Sequence, residues 1–217
     1  MRAVPVILAI LALLVGSQPL AAQNQTQLTF GAFGAQEIVQ SRTEESFGRF
    51  TGLVLSGEGI LTRGKIWARL RYGQGRVTER EGTSPGLTRD IVEGEALFGI
   101  QATPWLTVFA GPTARAYATE DKDQRWLFWS VGGVARGTLM PGRMQTFVEL
   151  WTALSANVTN PATRAAGRGA DAGLELRIGA SAPIWGRLSY RIESGRAADM
   201  RETVEAVALT VIYGLPQ

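Results

Sequence analysis

Apolar and polar residues alternate with a period of two along most of this chain. In the stretch 171–193, Leu174, Leu176 and Ile178 alternate with Glu175, Arg177 and Gly179; past Pro183–Gly186, Leu188, Tyr190 and Ile192 alternate with Arg187, Ser189, Arg191 and Glu193. Such a period puts successive side chains on opposite sides of a strand, so the stretch predicts a β-hairpin with one apolar and one charged face. Ten runs of this kind are predicted: 27–39, 49–61, 65–75, 90–102, 106–118, 125–139, 144–156, 170–182, 187–193 (extending toward 196) and 203–213. Each is about as long as the ~9–11 residues with which a tilted strand crosses a bilayer, or somewhat longer.

The connections predicted between these runs alternate in length. Short turns fall at 62–64, 103–105, 140–143 and 183–186, and longer polar connections at 40–48, 76–89, 119–124, 157–169 and 195–202. That is the rhythm of an up-and-down meander whose two ends are used differently. Ten strands also place both ends of the barrel domain on the short-turn side.

Charge is sorted between the faces. The sets Ile66/Ala68/Leu70/Tyr72, Val92/Gly94/Ala96/Phe98/Ile100, Leu106/Val108/Ala110, Leu127/Trp129/Val131, Val148/Leu150/Leu154 and Leu174/Leu176/Ile178 contain no charge. The alternate positions hold the ionisable residues: Glu58, Lys65, Arg69, Arg71, Glu93, Glu95, Arg115, Arg136, Glu149, Asp171, Glu175, Arg177, Arg187, Arg191 and Glu193. A soluble sandwich would bury the leucines and wet the arginines; a cylinder could turn the apolar face to lipid, where a Lys or Arg near the midplane costs ~2–4 kcal/mol. In the first run Leu28, Phe30 and Ala32 suit the outer face, but Phe33 falls opposite, which leaves its register open.

Composition narrows the classes. At 217 residues, 45% hydrophobic and 19% charged, with 26 glycines, the chain suits one large β domain. Its formal charge of +3 is spread along the sequence with no basic, aromatic-interleaved cluster, so nucleic acid is not an expected partner. Residues 1–22 read as a cleaved signal peptide: Arg2, the apolar run 6–15, then small residues up to Ala22. The run is shorter than the ~20 residues of a spanning helix.

There is no histidine and no cysteine, which removes His-dependent triads, thiol nucleophiles, His-based zinc sites and disulfides. Glu93 and Glu95 share a face about 7 Å apart, a spacing used by glycosidase pairs, but their alternation is already explained by a lumen wall. The chain is therefore read as a non-enzyme with no cofactor and no metal.

The closing run carries a separate mark. Val207, Leu209, Val211 and Tyr213 alternate with the small residues Ala206, Ala208 and Thr210. This resembles the last strand of bacterial outer-membrane barrels, whose terminal aromatic the assembly machinery is thought to read; here residues 214–217 follow that aromatic. With the leader, the alternating connections and the sorted faces, the chain resembles the small, porin-like outer-membrane β-barrel family. The resemblance implies an all-β fold, a single antiparallel up-and-down transmembrane β-barrel of about ten strands spanning 23–217. It also implies an outer-membrane location and contact with outer-membrane lipid, lipopolysaccharide and the barrel-assembly machinery. Aromatics near strand ends (Trp105, Trp185 and Tyr213; Tyr117 and Trp126) are expected in two interfacial belts. Three roles fit: a structural or surface-interaction barrel with a charge-paired lumen, a narrow channel for ions or small polar solutes, or a soluble periplasmic barrel binding an apolar ligand.

Overall fold

A computed structural model of the chain describes residues 26–44, 46–119, 123–159, 163–178 and 183–214. Within them the period-two runs form ten strands: β1 (Thr26–Arg42), β2 (Phe47–Arg63), β3 (Ile66–Gly82), β4 (Thr88–Thr103), β5 (Leu106–Ala118), β6 (Asp123–Met140), β7 (Met144–Thr159), β8 (Thr163–Arg177), β9 (Ile184–Ala197) and β10 (Met200–Gly214). Each pairs antiparallel with its sequence neighbours, and β1 closes on β10 from Thr29↔Gly214 to Arg42↔Arg201. Closure removes every free strand edge, so each strand's backbone groups are satisfied on both sides. The predicted leader, 1–22, lies outside the described residues.

The sorted faces run in the predicted direction. Leu55, Leu70, Phe98, Leu150, Leu176, Leu188 and Leu209 are all exposed on the outside of the closed cylinder, while Arg69, Glu93, Arg115, Glu149, Arg187 and Glu193 are buried within it. An apolar outer belt around a polar interior is the transmembrane β-barrel arrangement. No described helix is long and apolar enough to cross a membrane. Phe33 settles the open register of β1: it points inward beneath the Arg71 guanidinium, 5.2 Å from its ring centroid, with Ala35, Glu37 and Val39 on the same side.

The predicted alternation of connection lengths needs correction. The polar stretches at 40–48, 76–89 and 195–202 are mostly strand among the described residues, with the strands interrupted between 42 and 47, at 83–87 and at 198–199; residue 45 lies outside the described residues. β8 starts at Thr163 and ends at Arg177, so the turn predicted at 183–186 falls earlier, at 178–183, of which 179–182 lie outside the described residues. The physical reason is that backbone pairing does not stop where side-chain polarity changes; a hairpin keeps satisfying its N–H and C=O groups past the apolar belt.

Above the belt the faces exchange polarity. On β3 the outer positions run Ile66, Leu70, Tyr72 and then Gln74, Arg76, Thr78, Arg80, while the inner positions run Trp67, Arg69, Arg71 and then Val77. β10 does the same in reverse order: Arg201, Thr203 and Glu205 outside Met200 and Val204, followed by Val207, Leu209 and Val211 outside Ala208 and Thr210. The barrel is inside-out near the short turns and closer to conventional toward the other end, wet outside and mostly apolar inside, with Glu79 and Glu202 buried among the apolar residues. In β7 one extra residue between Thr152 and Ala156 shifts the pairing with both neighbours, leaves Leu154 outside and aims Ala156 and Val158 inward.

Candidate functional site: a sealed lumen

Three layers fill the interior. At the loop end, Val39, Phe50, Val54, Val77, Ile91, Tyr117, Trp126, Phe128, Val158, Met200 and Val204 form one buried apolar cap. Trp126 and Phe128 stack with ring centroids 5.8 Å apart, against Gly195 and Gly167, where a Cβ would lie 2.8 Å and 2.6 Å from their rings. These glycines leave the room that the aromatics fill.

The middle layer is ionic. Arg69 donates from Nε to Glu95 (2.7 Å) and from Nη1 and Nη2 to the two oxygens of Glu149 (both 2.7 Å), with Trp67 and Phe109 facing its guanidinium at 5.4 and 5.9 Å. Arg115 bridges Glu93 and Glu193 (2.6 Å each), and Arg191 bridges Glu37 (2.6 Å) and Glu93 (3.0 Å). Arg187 joins Glu175 and Glu58 (2.8 Å each), and Arg71 approaches Glu58 at 3.6 Å. Tyr117 donates to Glu202 at 2.9 Å, tying the ionic layer to the cap. Buried guanidinium and carboxylate groups in this geometry hold each other, because removal of either partner strands a buried charge. The two voids found in this layer measure about 20 Å³ each, room for about one water molecule.

The third layer is a cavity of about 450 Å³ at the short-turn end. Gln27, Thr29, Thr62, Gln101 and Gln145 line its mouth, Trp67 and Trp185 its sides, and Arg187 and Glu175 lie toward the ionic layer. The lumen is thus a vestibule that stops at an ion-paired floor.

The sequence matches no protein-family model and no curated protein. Solved structures do match. The outer membrane protease OmpT from Escherichia coli aligns with a TM-score of 0.55 at 9% identity, covering 91% of this chain and 99% of that one. The translocator domain of the autotransporter NalP from Neisseria meningitidis aligns at 0.51 and 10% identity, covering 95% and 93%. The chain has the fold of the bacterial outer-membrane β-barrels. At such identities the likeness concerns the outer-membrane barrel fold alone.

Within this outer-membrane-type barrel, the sequence-predicted lumen residues divide. Glu58, Arg69, Arg71, Glu93, Glu95, Arg115, Glu149, Glu175, Arg187, Arg191 and Glu193 meet in the ionic layer, and Arg136 lines the vestibule. Lys65 and Arg177 do not: Lys65 sits exposed in the β2–β3 turn and Arg177 exposed at the end of β8. Lys65 lies in a turn, where alternation no longer fixes a face; Arg177 is the last residue of β8, paired with Trp185, and stands at the exposed rim of the wall. The aromatic belts also need correction. Tyr117 and Trp126 are buried in the cap and Trp185 faces the vestibule, whereas Trp105 and Tyr213 are exposed near the short turns.

Sequence reasoning missed Glu37, Glu79, Glu202 and Arg89, all inside the barrel; Arg89 lies 4.0 Å from the Phe50 ring centroid. Glu79, Glu202 and Arg89 fall in stretches read as loops, and Glu37 in the strand of open register. Continuing the period of two past the polarity change would have found them.

Proposed function

We propose that the chain is an integral outer-membrane barrel with a structural or surface-interaction role and a lumen that does not conduct. On this reading residues 1–22 direct export and are removed. The closing strand, with Val207, Leu209, Val211 and Tyr213 outward, is what the barrel-assembly machinery engages.

The observation that carries the reading is the stacking of an apolar cap on an ionic layer whose voids hold about one water each. A hydrated ion would have to displace both. The same layer supports a non-enzymatic role: Glu93 and Glu95 are engaged by Arg115, Arg191 and Arg69, which hold them as charged anchors and not as a free acid and base.

The experiment is planar-bilayer recording on the refolded, purified barrel. Silence is the expected result. Reproducible unitary currents altered by Arg69→Gln or Arg115→Gln would replace the sealed barrel with a narrow channel. Recovery of the protein in the soluble periplasmic fraction without detergent would overturn the membrane location.

A further inference from the structure

The outward arginines above the apolar belt fall into two groups. On the flank formed by β2, β3 and β6 three of them have a carboxylate, with Arg80 exposed beside them: Arg76 donates to Asp90 at 2.8 Å, Arg125 lies 3.1 Å from Asp123, and Arg49 lies 3.7 Å from Glu81. On the flank formed by β8, β9, β10 and β1 they are set against one another. Arg42 is the cross-strand partner of Arg201, and Arg201 that of Arg196. Arg196 in turn pairs with Ala166, whose outward neighbours along β8 are Arg164 and Arg168.

All five side chains are exposed, while Val39, Ala197, Met200 and Glu202 beside them in sequence are buried, so the row lies on the outside of the barrel. Directly opposed residues on one sheet face stand ~4.5–5.5 Å apart at Cβ, and like charges there repel. Among the described residues none makes an ion pair or hydrogen bond with any of the five guanidinium groups; the Thr163 hydroxyl donates to the backbone carbonyl of Arg164 at 3.5 Å. Glu205, the outward carboxylate of β10, accepts instead from the Tyr190 hydroxyl at 3.1 Å. Glu44 and Asp199, at the hairpin tips, form no ion pair with the row either.

The row's height selects a ligand. Ile192 is the last large apolar residue of the belt on β9, and Arg196 follows four residues later. At ~3.3 Å per residue and a tilt of ~40°, that is about 10 Å above the belt, and Arg168, paired with Ser194, is about 5 Å above it. The headgroup zone on each side of a bilayer is ~5–7 Å deep. A lipid with a single phosphate meets one arginine at the lower edge; a headgroup carrying several anionic groups on one rigid saccharide frame spans the whole row.

The geometry points to Arg42, Arg196 and Arg201, flanked by Arg164 and Arg168, as a docking site for a multiply anionic outer-leaflet glycolipid of the lipopolysaccharide class. Guanidinium groups suit it because each offers a planar fork to phosphate or carboxylate oxygens. The bound headgroup turns a repulsive row into a set of charge-assisted contacts, so the ligand stabilises the strands around the β1–β10 closure. The inference rests on the outer-membrane reading only for the source of the ligand.

The test uses the refolded barrel in neutral detergent, titrated with purified lipopolysaccharide, with its dephosphorylated form and with phosphatidylglycerol. The variants are R42Q/R196Q/R201Q and, on the other flank, R49Q/R76Q. Lipopolysaccharide is expected to raise the wild-type thermal midpoint and to bind at least about tenfold more weakly to the triple variant, with an affinity that falls as salt rises. The R49Q/R76Q variant should bind as wild type does. Without glycolipid the triple variant should be at least as heat-stable as wild type, since it has lost only repulsion, which separates lost binding from failed folding. Equal binding by the triple variant overturns the site, as does equal binding of phosphatidylglycerol or of the dephosphorylated form. A location error would show in fractionation while leaving these titrations intact.

Discussion

Arg69 shows how single residues hold the interior. Its guanidinium meets two carboxylates and lies over the adjoining Trp67 and Phe109 rings, so truncation strands Glu95 and Glu149 in a buried layer. Arg69→Met is expected to destabilise the barrel by ~3–5 kcal/mol, and the double variant Arg69→Met/Glu149→Leu to recover part of that loss. Urea titration of the barrel in lipid vesicles, followed by tryptophan fluorescence, measures both; a neutral single variant would remove the ion pairs from the account of stability. Arg69, Arg115 and Arg187 were legible in the sequence as lumen charges because period two fixes the face. Which carboxylate each one meets was not legible, since Arg69 and Glu149 lie 80 positions apart.

At the scale of the element, each strand carries two patterns end to end. β3 presents Leu70 and Thr78 on the same outer face, but Leu70 lies in the belt and Thr78 in the polar extension. Leu70→Arg should cost ~2–4 kcal/mol of folding stability in vesicles. Thr78→Arg should stay within ~0.5 kcal/mol, as surface changes do. Equal costs would mean that the belt extends to the hairpin tip. The strands themselves were legible: β5 has the predicted bounds, and the others differ mainly by extending into the polar stretches. The extensions were missed because a strand with a wet outer face and an apolar inner one, above the lipid, reads as a break in the pattern when one polarity is assumed for the whole length.

For the whole molecule, closure is the decisive event. With β1 paired to β10 along Thr29–Arg42, the barrel has no edge at which detergent can begin to strip strands. The unboiled protein is therefore expected to migrate differently from the boiled form in dodecyl-sulfate gels; identical migration would show that no closed, detergent-resistant barrel had formed. The sequence by itself determined the all-β class, the count of ten strands and the sorting of charge onto one face of the strands, because all of these follow from local alternation. Only the tertiary structure decided that the apolar face turns outward on a closed cylinder, that an apolar cluster lies beside the ionic layer, that the ion pairs join distant strands, and that Arg42, Arg196 and Arg201 stand in one row. Those features depend on cross-strand register around a closed ring, and register is set by every strand at once.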